Sequence, residues 1–252
     1  MLKAFLILLA GLSAAPASLA APAAGVGTCA GKPEQACLFE TIWTAAGALP
    51  ATKQQRLAPL FLDTVRLSPD SALVQTWQAR LPGVKPAAPR AANYAEDQAR
   101  AVIAETGWAS FTARARAGGA PFNLGRPEIM AAGVRLAPDA ATARRLIDAM
   151  FDLAVSGASH SRLEGDFETQ DFGHALAELS MQRCDLVAFD RAVALTAAPD
   201  GLRYALWRAR ITGGASALAS RIAYNADADD TRHVRQALEG YRPILALGYC
   251  NR

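Results

Sequence analysis

The sequence predicts an all-α chain, an array of αα-hairpins stacked as a solenoid or folded into a compact helical bundle. Three observations lead there. A block that starts Pro199-Asp200 and runs to Trp207, Ala209 and Arg210 has an earlier copy that starts Pro69-Asp70 and runs to Trp77, Ala79 and Arg80. A looser third copy starts at Pro138-Asp139, with Leu146 where the other two carry Trp. Apolar residues then recur at helical spacing after each Pro-Asp step: Leu202, Ala205, Leu206 and Ala209 in one copy, Ala143, Leu146, Ile147, Met150 and Leu153 in another. Glycines at 47, 83, 118 and 157 divide the chain at intervals of 36, 35 and 39 residues.

The repeated unit reads as the end of one helix, a turn and the start of another. Proline has no N–H to donate and disfavours helix in the residue before it, so it closes the preceding helix, while its fixed φ suits the first turn of the next. Aspartate one place later sits where the helix dipole favours an anion. Gly83, Gly157 and Gly213 stand where left-handed caps end helices.

In chain order, residues 1–20 read as a secretory signal peptide: Lys3, an apolar run from Ala4 to Leu12, and the small-residue cleavage pattern Ser18-Leu19-Ala20. The run is too short to span a bilayer, and no stable membrane insertion is expected after cleavage. Residues 21–33 form a flexible N-terminal segment, and 34–252 the helical-repeat domain. Cys29, Cys37, Cys184 and Cys250 make an even set in a chain bound for an oxidising compartment. Three pairings are possible; the favoured one joins Cys29 to Cys37 and Cys184 to Cys250. With no Cys-x-x-Cys pair, a four-cysteine zinc site is the weaker reading.

Helices are expected over 33–47, 52–67 and 69–81, followed by a Pro- and Gly-rich linker at 83–89. Further helices are expected over 94–105, 108–117, 126–136 and 138–155, then 174–183, 185–196, 199–212 and 215–224. The last runs from Asp230 to Tyr241, with Val234, Ala237, Leu238 and Tyr241 as its buried face and Pro243 ending or kinking it. The tail Ile244 to Leu247 is expected to dock beside Cys250.

Hairpins of this length resemble tetratricopeptide or Sel1-like repeats, the closest stretch being Phe189-Asp190-Arg191-Ala192-Val193-Ala194-Leu195 ahead of Pro199-Asp200. The resemblance covers at most residues 50–225 and implies a concave surface that binds a protein or peptide.

Residues 158–172 break the period and read as the longest polar insertion. The segment and its flank hold His160, Glu164, Asp166, Glu168, Asp171 and His174. The plain reading is a solvated loop whose Asp171 caps a helix near Gly173. The sharper one is a site, either acid/base catalysis by His160, Glu164 and His174 or a metal held by His160, Asp171 and His174, since neutral imidazole with carboxylate is a ligand set that zinc accepts. No H-E-x-x-H, G-x-S-x-G, phosphate-binding or dinucleotide fingerprint occurs, and no cofactor is expected.

Removing Lys3 with the signal leaves 25 basic and 23 acidic residues, too even a balance for a nucleic-acid binder. Arg114, Arg116, Arg144, Arg145, Arg208 and Arg210 read as helix surface or as a patch for an acidic partner. Trp77 and Trp207 read as packing between helices. The sequence thus points to a periplasmic or secreted, non-enzymatic scaffold for a protein or peptide, with a hydrolase using residues 158–174 as the alternative.

Overall fold

A computed structural model describes residues 29–86, 94–117, 126–156, 165–224 and 231–250. Those residues form eleven α-helices, with no strand among them. In order they are α1 (Glu34–Gly47), α2 (Ala51–Val65), α3 (Ser71–Arg80), α4 (Tyr94–Arg116), α5 (Pro127–Leu136) and α6 (Ala140–Ser156). Then follow α7 (Gly165–Gln182), α8 (Leu186–Val193), α9 (Leu202–Thr212), α10 (Ala219–Ala223) and α11 (Arg232–Leu247). The expected signal peptide, most of the 21–33 segment, and Gly118 and Gly157 lie outside the described residues.

The Pro-Asp step works as a cap in two of its three copies. The Asp70 carboxylate accepts from the N–H groups of Ala72 and Leu73, and that of Asp139 from Thr142, satisfying donors that the first helical turn leaves free. In the remaining copy Pro199-Asp200 lies in a turn closed from Gly201 N–H to Ala198 O at 2.9 Å, so α9 starts at Leu202 and not at Pro199 as expected. Gly107, at φ 75°, breaks α4 into the two helices expected there.

Two apolar cores fill the fold. The central one is built by α4 to α8, with Phe111, Met130, Leu146, Met150 and Leu176 all fully buried. The other joins the two ends of the chain: Leu38, Phe39 and Ile42 of α1 and Phe61 of α2 meet Leu238 and Tyr241 of α11. Edge-to-face aromatic contacts stiffen it, Phe39 to Tyr241 at 5.6 Å and Phe61 to Trp77 at 4.8 Å. From α4 to α9, helices pack on neighbours and next-but-one neighbours, while α1 packs on α10 and α11 and α2 packs on α11.

Helix α9 lies between the cores and is buried on two sides. Leu202, Leu206 and Ala209 face the terminal core, and Trp207 and Ile211 face the central one. Against α11 the approach is close enough that a Cβ on Gly240 would stand 2.9 Å from Leu206 Cδ1 and 3.0 Å from Arg203 Cα. Both expected cysteine pairs are at disulfide distance, Cys29–Cys37 with Cα atoms 5.5 Å apart and Cys184–Cys250 at 5.7 Å.

Four expectations change. Residues 165–172 are the first two turns of α7, so Asp171 lies inside a helix instead of capping one. Nothing in the sequence between Gly165 and Phe172 forbids helix. Pro243 does not end α11, which runs on to Leu247; burial of Ile244 and Leu245 in the terminal core offsets the lost hydrogen bond. The segment 215–224 divides into a short 3-10 turn, Ser216–Leu218, and the five residues of α10. Arg210 is no surface arginine: it is 4% exposed.

Candidate functional site

Extending α7 back to Gly165 changes what the His174 region is. Asp171, His174, Ala175, Glu178 and Gln182 recur at helical spacing and share one side of α7, while Phe172, Leu176 and Leu179 anchor the helix in the central core. Across from that side, α5 offers Pro127, Glu128, Ala131 and Arg135, again spaced along one face. Between them runs a groove of about 510 Å³. At Asp171 and His174 it meets a second depression of about 300 Å³, bordered by Thr196, Gly201, Arg203, Tyr204 and Gln236. At Arg135 and Gln182 it meets a third of about 440 Å³, bordered by Asp139 and Arg183. Together they make one trench along α7.

His174 is the best-held polar side chain in it. Its Nδ1 lies 3.1 Å from the Tyr204 hydroxyl, and its ring lies over Trp207 at 5.3 Å and 30°. Burial, helped by the Arg203 charge, lowers its pKa to about 4, so the imidazole is neutral at neutral pH. Burial raises the Tyr204 pKa, which keeps the phenol protonated and able to donate to Nδ1. Arg203 is ion-paired with Glu239 of α11, which fixes its position beside the ring. Burial and the Glu128 charge push the Asp171 carboxyl upward, with Arg126 opposing. The middle of the trench is therefore acidic, with Glu128, Asp171 and Glu178, and one end is basic, with Arg135 and Arg183.

The two expected site sets are reached only in part. Asp171 and His174 lie one helical turn apart in the trench; His160 and Glu164 lie outside the described residues. No three His, Cys, Asp or Glu side chains among the described residues are grouped as metal ligands. The chain matches no protein-family model, no curated protein and no solved structure.

Sequence reasoning missed Tyr204, Glu128, Glu178 and Arg135. The signal for Glu178 and Gln182 was present: reading 165–182 as helix places them on the side of Asp171 and His174. Tyr204 and the α5 residues carry no local mark, because only the packing of α5 and α9 against α7 makes them neighbours.

Proposed function

We propose that the chain is an exported, non-enzymatic helical scaffold of the tetratricopeptide-like kind, working in the periplasm or outside the cell, that holds a peptide or an extended segment of a protein in the trench along α5 and α7. The observation that carries this reading is the union of three depressions on one side of α7, from Asp171 to Gln182. At the helical rise that side is about 16 Å long, the reach of roughly five residues of extended chain. Its walls mix small apolar residues, Ala131 and Ala175, with groups able to hydrogen-bond a peptide backbone, Gln182 and Gln236 among them. Two cysteine pairs at disulfide distance and the N-terminal signal pattern support export. No helix among the described residues is long and apolar enough to cross a membrane.

The test is peptide selection on the purified mature chain, followed by fluorescence anisotropy of the enriched peptides. Ala175→Trp and Ala131→Trp fill the trench from its two walls and are expected to weaken binding at least tenfold. Selection without enrichment, or enriched peptides that bind both variants as well as the parent, would overturn the proposal. The hydrolase alternative draws on His174, Asp171 and Tyr204 sharing one groove. Metal analysis and turnover of a peptide or ester panel, lost in His174→Gln, would favour it.

A further inference from the structure

The two disulfides sit in different chemical settings. Cys37 is 3% exposed inside α1 and belongs to the terminal core. Cys184 lies in the open, in the turn after α7, at φ 60°, a left-handed conformation that non-glycine residues rarely take. Its N–H bonds Met181 O and the next N–H, of Asp185, bonds Ser180 O at 2.9 Å, so Cys184 occupies the place that glycine usually takes in a helix C-cap. The helix end thus places Cys184 at an exposed position, whereas Cys37 is buried.

Behind the disulfide stands Arg210. Its Nη1 is 3.2 Å from Cys250 Sγ and 3.6 Å from Cys184 Sγ, and it also donates to Met181 O. Among the described residues its side chain contacts that carbonyl and the two sulfurs, with no carboxylate. The tail is pinned to the same residue, Cys250 N–H donating to Arg210 O at 3.1 Å. Among the described residues the neighbouring charges are engaged or balanced. Arg208 is paired with Asp190, the Asp185 carboxylate accepts from Ala188 N–H, and Arg183 and Asp185 flank Cys184 with opposite signs. A buried cation nearer one sulfur than the other favours negative charge on that sulfur.

We propose that Cys184–Cys250 is a thiol–disulfide exchange site, opened by a dithiol reductant that attacks Cys184 and expels Cys250 as a thiolate held by Arg210. In the first step the reductant's thiolate forms a bond to Cys184 Sγ, the bond between the two protein sulfurs breaks, and Cys250 leaves with the electron pair. In the second, the reductant's other thiolate attacks its own sulfur in the mixed disulfide and releases Cys184. Two electrons and two protons pass from the dithiol to the protein, and the dithiol becomes a disulfide. Lowering the leaving thiol's pKa speeds the first step and favours the reduced pair at equilibrium. Cys29–Cys37, with one sulfur's residue sealed in the core, serves as the internal reference.

The experiment uses the full mature chain in its oxidised form, with dithiothreitol as the dithiol and glutathione to trap the adduct. Cys184–Cys250 is expected to open at least tenfold faster than Cys29–Cys37, and the glutathione adduct is expected on Cys184. In Cys184→Ser, alkylation of Cys250 against pH should titrate at least one unit below the ordinary thiol value of about 8.5. Arg210→Lys is expected to keep that shift and Arg210→Met to abolish it. Should Arg210→Met not fold, the Cys250 titration in Cys184→Ser decides. Equal opening rates, an adduct on Cys250, or a Cys250 titration at or above about 8.5 would overturn the proposal.

Discussion

Replacing Trp207 by alanine tests the two-sided burial of α9 most directly. The indole is 4% exposed, lies 5.3 Å from His174 and 5.6 Å from Tyr204, and belongs to the central core. An indole buries about 200 Å², worth about 5 kcal/mol at 25 cal/mol per Å². Against this stands Trp207 Nε1, which is buried without a hydrogen-bond partner among the described residues. Its removal relieves a desolvation cost of about 1–3 kcal/mol, so the net loss for Trp207→Ala is about 2–4 kcal/mol. Arg208, one residue on, points to solvent and pairs with Asp190 with both side chains about half exposed. Such a pair contributes under about 1 kcal/mol, so Arg208→Ala should change little. Urea melts at constant slope measure both. If Trp207→Ala and Arg208→Ala shift the midpoint equally and slightly, α9 is not buried on its Trp207 side and the two-core description fails.

Other outcomes follow from the same packing. Gly240→Ala drives a methyl against Leu206 and the Arg203 backbone and should cost about 1–3 kcal/mol in a denaturant melt, whereas Gly214→Ala, with nothing within 4 Å of the added Cβ, should be neutral or slightly stabilising. His174 has its folded pKa lowered to about 4 from the ordinary 6.5, so the unfolded chain takes up the proton first. The stability held above about pH 6.5 is then lost as pH falls toward 4, by about 2–3 kcal/mol. Melts of the parent and His174→Gln across that range should converge at low pH, and parallel curves would refute the burial of the ring. Cys250→Ser opens a loop of 66 residues and is expected to cost up to about 4 kcal/mol. Because α11 shares its core with α1 and α2, hydrogen exchange should then show protection lost in α1 and α2 as well as beyond Pro199. Loss confined to residues after 199 would instead describe a linear array that frays from its end.

Local chemistry determined the helices, and the sequence carries that chemistry openly. The Pro-Asp steps, the glycines and the 3.6-residue stripes are interactions within a few residues of chain, so the faces of α6 and α11 were readable: Leu146 and Met150, Leu238 and Tyr241 are all buried as their spacing implied. The cysteine count and context likewise pointed to the two pairs the fold brings together. Polar residues at 165–172 misled the reading, because helix and loop tolerate the same side chains there and the deciding contacts lie further along α7. What only the tertiary structure decided is which face meets which. Closure of α1 and α2 onto α11 gives the chain a second core and carries α11 past Pro243. The placement of α9 between two cores turns Arg210 inward and sets Tyr204 against His174. Those contacts, such as Met181 with Arg210 and Phe39 with Tyr241, join residues far apart in the chain, and a local pattern does not record which distant face an apolar stripe will meet.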